Sequence, residues 1–190
     1  GLKWETQVST DVAIEFGLFD RLTGSVEYFK KDSKDLLFDV SQPASMGVTS
    51  IVQNIGKVSN SGVEIDLSYD VIKGKNWNLT VGANATFIKN KIVELPEEMK
   101  KDGYIDGSKK WFEGKSIYEF WLRQWYGVDP ATGNGLYYAH MEQNSMDDKN
   151  FAKTLVNLNG ETLTNDYNYA KYDYSGASIP KVFGGFNFRL

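Results

Sequence analysis

The sequence predicts an all-β chain, an antiparallel meander of strands carrying long loops. Three observations lead there. The stretches 7–18 and 62–71 alternate apolar with acidic or small polar residues at period two, the mark of strands with one apolar and one wet face. Aromatic residues make up 14% of the 190 residues, and their side chains suit a pleated surface. Eighteen glycines against four prolines point to tight turns rather than a disordered chain.

The first strand carries Val8, Val12, Ile14, Phe16 and Leu18 on one side and Gln7, Ser9, Asp11 and Glu15 on the other. It is about as long as the 9 to 11 residues with which a tilted strand crosses a bilayer. Asp20-Arg21-Leu22-Thr23-Gly24 turns the chain, and a second strand begins at Ser25 and heads toward Val40. Lys30, Lys31, Asp32, Lys34 and Asp35 interrupt it. Charge facing lipid is costly near the bilayer middle, so this part is expected to project beyond a membrane or to carry a bulge. A Pro- and Ser-containing connection, Ser41 to Gly47, follows, with regular structure expected again near Val58. The next strand presents Val63, Ile65, Leu67 and Tyr69 on its apolar side. Lys73-Gly74-Lys75-Asn76 joins it to a strand over 77–87 whose odd positions, including Leu79 and Val81, are apolar. Long excursions are expected from Glu94 to Ser116 and over most of Met141 to Ser178, and 118–126 reads as one more strand.

Short turns at one end and long loops at the other are the asymmetry of outer-membrane barrels. The alternation alone leaves two environments open: a soluble sheet packed on one side, or a barrel with lipid outside and water inside. In a barrel the lipid-facing set is Val8, Val12, Ile14, Phe16, Leu18, Val63, Ile65, Leu67, Tyr69, Leu79 and Val81. Phe19 and Trp77, beside the short turns, and Trp4, Tyr28 and Phe38 would suit interfacial girdles. A mean hydropathy of -0.42 fits either case, because lumen-facing polar residues dilute a barrel strand's signal. No run nears the roughly 20 apolar residues of a spanning helix, and the first residues lack the regions of a signal peptide. Gly1-Leu2-Lys3-Trp4 has no initiator methionine and Leu190 falls within a β-like run, so a piece of a longer polypeptide is expected.

Charge and residue inventory narrow the chemistry. Twenty-one basic against 25 acidic residues leave no electrostatic footprint for nucleic acid. The absence of cysteine removes disulfide frameworks and thiolate metal sites. His140 is the only histidine, which leaves neither a Ser/His/Asp triad nor a His-rich metal site within the chain, and it reads as a solvated loop residue. No cofactor, metal or catalytic residue is expected. Glu97-Glu98 and Asp147-Asp148 read as surface charge, since adjacency does not supply the roughly 5 to 10 Å separation of glycosidase carboxylates. The segment 129–135 has the oxygen-rich look of a calcium loop but lacks alternating acidic ligands, and it reads as a turn.

Aromatic side chains offer the best ligand surface. Trp111, Phe112, Tyr118, Phe120, Trp121, Trp125, Tyr126, Tyr137 and Tyr138 present flat faces that can cover sugar rings or peptide side chains with little entropy to lose. Trp111, Phe112, Trp121, Trp125, Tyr137 and Tyr138 are the candidate contacts. Trp111 and Phe112 are expected to be exposed in a loop beside Lys109 and Lys110. The competing reading gives these aromatics to strand packing.

Several blocks together resemble a known family. The opening Leu2-Lys3-Trp4-Glu5-Thr6, the hairpin stretch 22–28 followed by Lys34-Asp35-Leu36-Leu37, and the run 53–65 look like later barrel strands of SusC/RagA-type TonB-linked outer-membrane transporters of Bacteroidetes. The likeness continues through Trp77, Asn84, Asn90-Lys91-Ile92, the run 127–133 with Leu136-Tyr137-Tyr138, and the run 179–186, in the family's order. The resemblance implies a barrel of about 22 strands with a plugged lumen. It also implies import of glycans or peptides with energy relayed by TonB, and a SusD-like lipoprotein at the outer mouth. On this reading the chain is a partial, unclosed piece of a large transmembrane β-barrel, without plug, signal peptide or terminal strands. Two sheet edges would be left open, so the isolated chain is expected to self-associate or to cover its apolar face with its own loops. A soluble β-sandwich that binds carbohydrate is the alternative, and a hydrolase a third class.

Overall fold

The computed structural model describes residues 2–42, 44–54, 56–141 and 148–190. Gly1, Pro43, Ile55 and Asp147, which enter the sequence reading above, lie outside the described residues. In chain order the strands are β1 (Thr6–Leu18), β2 (Leu22–Lys34), β3 (Leu37–Ser41), β4 (Ser50–Asn54), β5 (Lys57–Lys73) and β6 (Asn78–Glu94). The helical turn α1 (Glu97–Lys100) precedes β7 (Tyr104–Asp106), β8 (Lys109–Trp111), β9 (Glu119–Arg123), β10 (Trp125–Val128) and β11 (Gly135–Tyr138). The turn α2 (Phe151–Thr154) precedes β12 (Leu155–Leu158), β13 (Glu161–Thr164), β14 (Tyr172–Ala177) and β15 (Val182–Arg189). The chain divides into two compact units, one of residues 1–104, 111–118 and 179–190, the other of residues 105–110 and 119–178.

The first unit is built on a five-stranded antiparallel sheet, in the order β1-β2-β5-β6-β15. Directly opposed residues of an antiparallel pair share a face, so the register converts the alternation of each strand into rows that cross the sheet. Four rows are wholly apolar apart from two glycines: Val12-Tyr28-Val63-Phe87-Val182, Ile14-Val26-Ile65-Ala85-Gly184, Phe16-Gly24-Leu67-Ala83-Phe186 and Leu18-Leu22-Tyr69-Val81-Phe188. A register shift between Asp70 and Ile72 extends the surface, because the extra residue brings Ile72 opposite Leu79 on the same face. A β-carbon on Gly24 would lie 2.7 Å from Leu67 Cδ2 and 2.9 Å from Phe16 Cζ, so glycine lets those two side chains close over β2.

Where the strands turn, local chemistry fixes the hairpins. Phe19 and Asp20 both have positive φ, 57° and 52°, and the Arg21 N–H donates to Leu18 O at 3.2 Å. Positive φ at both central positions gives the turn a twist that matches the flanking strands. The second strand stops at Lys34 rather than running toward Val40, because Asp35 takes φ 54° and the chain leaves the sheet there. The pairing of β2 with β1 and β5 runs to Lys34 without a shift, so the lysine-rich segment carries no bulge. Regular structure resumes earlier than Val58: β3 and β4 form a hairpin of their own.

The 94–116 excursion is not open loop. Leu95 and Met99 from around α1, and Trp111 at the end of β8, join Val40, Val58 and Ile92 in a buried cluster, with Leu36, Phe38, Tyr104 and Ile117 packed on it. Asn90, itself buried, ties this segment to the sheet. Its Nδ2 donates to Asn60 Oδ1 at 2.7 Å, and its Oδ1 accepts from Ser116 Oγ at 2.7 Å and Ile117 N–H at 2.9 Å.

In the second unit, the 118–126 stretch is two strands, not one. Residues of β9 enter the sheet β14-β9-β8-β7, whereas β10 enters the sheet β10-β11-β13-β12. The described part of 141–178 is likewise regular, holding α2, β12, β13 and β14. Leu136, Ala139, Phe151, Leu163 and Ala170 form its buried interior. Thr164, completely buried, is satisfied by donating to Thr154 Oγ1 at 2.9 Å and accepting the Asp166 N–H at 3.1 Å.

Candidate functional site

Two surfaces stand out, one in each unit. The first is the apolar face of the five-stranded sheet. All eleven residues expected to face lipid point to this side. Most are exposed, Ile14 at 67% and Val12 at 59%, so the chain's own loops do not cover the face. Val8 differs from the rest, since its row, Val8-Asp32-Ser59-Lys91, is polar. The apolar rows extend about 27 Å along the strands at ~3.4 Å per residue, or about 20 Å in height once tilted by ~40°, close to a barrel's outward apolar band of ~25 Å. Tyr28 and Phe87 stand in the row at one border, while Tyr69 and Phe188 stand near the other, with Phe19 and Trp77 exposed in the adjoining turns. Phe38, expected in a girdle, instead packs edge-on against Trp111 at 4.8 Å.

The opposite face of the same sheet is polar and predominantly acidic. Asp11, Glu15, Glu27, Glu64, Asp66 and Asp70 lie on it, with Glu27 directly opposite Glu64. Phe29 is also there, its ring lying across Gly62.

The six candidate ligand contacts do not form one cluster. Trp111 and Phe112 belong to the first unit, and the other four to the second. Trp111 is a core residue rather than an exposed loop aromatic: it is 4% exposed, and its Nε1–H donates to Ile117 O at 3.2 Å. Phe112 beside it is exposed. Trp125 and Tyr137 are a cross-strand pair in edge-on contact at 5.2 Å, with the Trp125 ring lying over Gly135. Tyr126 and Tyr138 make a similar contact at 5.6 Å. His140 is half-buried rather than freely solvated, and its backbone N–H donates to Tyr169 O at 2.8 Å.

Trp121 has the richest surroundings. Tyr174, directly opposite on β14, meets it edge-on at 5.0 Å, Tyr172 stacks at 6.3 Å, and the Lys110 ammonium sits 4.3 Å over its ring. The Arg123 guanidinium lies 4.3 Å from the Tyr167 ring and 4.8 Å from the Tyr172 ring, while its Nε–H donates to Tyr167 O at 2.8 Å. Tyr167 also lines a shallow cleft with Tyr137, Gly135, Thr154, Asn165 and Asp166. Burial, then the charges of Glu119 and Asp173, push the Tyr174 hydroxyl above its ordinary pKa, which keeps it neutral. Lys110, Arg123, Tyr167, Tyr172 and Tyr174 were not singled out from the sequence. The signal was present in the alternation Glu119/Trp121/Arg123 and Tyr172/Tyr174, which puts each set on one face of its strand.

The remaining candidates resolve plainly. Asp129 caps its own turn, accepting from Ala131 N–H at 2.9 Å and Thr132 Oγ at 2.7 Å, so 129–135 is a hairpin turn between β10 and β11. Hydrogen bonds from the Thr132 hydroxyl and the Ala131 amide hold its carboxyl below the usual carboxylate range. Among the described residues no three acidic or histidine side chains are grouped to hold a metal ion.

An antiparallel sheet with open edges, one apolar face of near-bilayer height and one polar face is the wall of a membrane barrel. Comparison with known proteins carries this further: residues 1–189 match the family model described as "TonB dependent receptor-like, beta-barrel", and the chain belongs to that family of outer-membrane barrel proteins. It is similar to TonB-dependent receptor P3 of Formosa agariphila, with 34% identity over 67% of this chain and 14% of that protein. Similarity to the TonB-dependent receptor SusC of Bacteroides thetaiotaomicron is 27% over 60% of this chain and 12% of that protein. Among solved structures, that of the RagAB peptide transporter superposes with a TM-score of 0.77 over 97% of this chain and 19% of that one, at 24% identity, a likeness of fold. The chain thus spans about one seventh of the length of the curated relatives it matches.

Proposed function

We propose that this chain is a section of the barrel wall of an outer-membrane nutrient importer that takes up glycans or peptides, powered through TonB and working with a SusD-like lipoprotein. The four unbroken apolar rows across five strands carry the reading, since they supply one lipid-facing surface and leave the acidic face to the lumen. The likeness to SusC, and the peptide transport stated for the RagAB complex, support the cargo classes and the lipoprotein partner. Plug and energy coupling belong to the remainder of the receptor. The second unit, inserted between β6 and β15, supplies the substrate or lipoprotein contacts through Tyr137, Tyr167 and Arg123. The β1 and β15 edges pair with neighbouring strands of the full barrel, and the isolated chain self-associates through them.

Cysteine accessibility tests the orientation. In the full-length receptor in vesicles, Ile14→Cys should react with a lipid-soluble maleimide and resist a charged one, while Glu15→Cys should show the reverse. Equal reactivity at the two sites, or silence of Ile14→Cys toward the lipid-soluble reagent, would favour a soluble sandwich with Ile14 inside its core.

A further inference from the structure

Beyond the Val12-Tyr28-Val63-Phe87 row, the same outward face changes character. The next rows read Thr10-Lys30-Ser61-Lys89, Val8-Asp32-Ser59-Lys91 and Thr6-Lys34-Lys57-Glu94. Five lysines face two acids, Asp32 and, opposite Lys57, Glu94, and Asp32 is already engaged: its Oδ2 lies 3.3 Å from Lys30 Nζ and 3.1 Å from Lys57 Nζ. Lys34, Lys89 and Lys91 are exposed and have no ion pair among the described residues. Lys30 follows Tyr28, and Lys89 follows Phe87, by one step of the same face, so each cation stands next to the aromatic border of the apolar rows.

We propose that Lys30, Lys89 and Lys91, flanked by Lys34 and Lys57, form a binding site for the phosphate groups of a membrane glycolipid. The inference rests on the reading that the apolar rows meet lipid. An occupant must satisfy cations in one row and apolar side chains in the row beside it, which a phosphorylated headgroup with acyl chains does and a free anion does not. Lys30 and Lys89 are two strands apart, about 10 Å, and Lys89 and Lys91 are about 7 Å apart along β6, a spread that fits a headgroup carrying more than one charge. Lysine stems lie along apolar surface while their ammonium groups reach outward, which suits this border. Each juxtamembrane lysine contributes about fivefold in affinity for anionic lipid.

The test uses the full-length receptor in non-ionic detergent, titrated with purified lipid A while its thermal unfolding is followed. Lipid A should raise the unfolding midpoint, and 1 M salt should abolish the rise by screening. The triple variant Lys30→Gln/Lys89→Gln/Lys91→Gln should weaken the apparent affinity about a hundredfold, the single variant Lys91→Gln about fivefold. Lys31→Gln, on the opposite face, should leave it unchanged. Phosphatidylcholine or inorganic phosphate should not substitute. Unchanged lipid A affinity in both lysine variants would overturn the site, equal protection by inorganic phosphate would reveal a free-anion site, and loss of a co-purifying lipoprotein with an intact lipid A response would reveal a protein contact. Ile14→Cys labelling in the same preparation separates the two readings. If lipid-soluble reagent reaches it while the lysine variants behave as wild type, only the headgroup site falls; if it stays unlabelled, the membrane orientation falls as well.

Discussion

Placing lysine at successive rows of the outward face should trace a depth profile across the bilayer. Ile14 occupies the second of the apolar rows, and each row adds about 7 Å of strand, so Ile14 and Phe16 stand nearest the middle while Val8 stands in a polar row beyond the border. A lysine on the lipid face costs about 2–4 kcal/mol at the midplane and about 0–1 kcal/mol near the interface. Ile14→Lys should therefore lower the folded-to-unfolded ratio by about 30- to 900-fold, and Val8→Lys by less than about sixfold. Glu15→Lys, one residue away but on the polar face among acidic neighbours, should cost nothing measurable or stabilise slightly. The assay is reversible urea unfolding of the full-length receptor in phospholipid vesicles, followed by tryptophan fluorescence. Equal costs at Ile14 and Val8, or a greater cost at Glu15 than at Ile14, would refute the assignment of faces.

Other consequences follow from particular contacts. Gly62→Ala would bring a β-carbon to 2.2 Å from Phe87 O and 2.5 Å from Phe29 Cζ, and should destabilise by about 1–3 kcal/mol in the same unfolding assay. Trp111→Ala removes a core side chain and should cost about 3–5 kcal/mol, whereas Phe112→Ala, at the exposed neighbouring position, should cost far less. Tyr169 donates its hydroxyl to Asp148 Oδ2 at 2.7 Å, a bond that lowers the carboxyl pKa and raises the phenol pKa. The lowered acid stabilises the fold above its unfolded value of about 4 and loses that contribution as pH falls through the folded value; the raised phenol contributes below about 10 and loses it as pH rises through its folded value. Tyr169→Phe should remove the alkaline dependence and weaken the acid one, which the Asn150 amide still supports, and acid and alkaline titrations of local near-ultraviolet dichroism would register both changes. Glu27→Lys, replacing one member of the opposed Glu27 and Glu64 pair, should stabilise by about 0.2–1 kcal/mol at low salt.

The strands β1, β2, β5 and β6 were legible in the sequence because a two-residue period is a local property, and so was the place of the hairpin turns beside Phe19 and Trp77, though Leu22, Thr23 and Gly24, expected in the first turn, pair within β2. The family resemblance, spread over short blocks, reached the correct architecture for the same reason: register and turn chemistry repeat along a barrel. What failed was local too. Tyr118 to Tyr126 reads as one strand, yet the chain changes sheet around Gln124, whose side chain donates to Leu122 O and Asp173 O. Trp111 beside two lysines looks like an exposed loop residue, and only the cluster it joins, with Phe38, Val40 and Val58 brought from distant positions, makes it core.

Alternation by itself determined that each strand has an apolar and a polar side. The tertiary structure decided which sides coincide. β15 pairs with β6 across some hundred residues, and only that register carries Phe186 and Phe188 into the rows begun by Phe16 and Leu18. The physical reason is the period of two: a slip of one residue in any pairing would turn a whole strand's apolar side to the acidic face, so the surface exists only when every register is right.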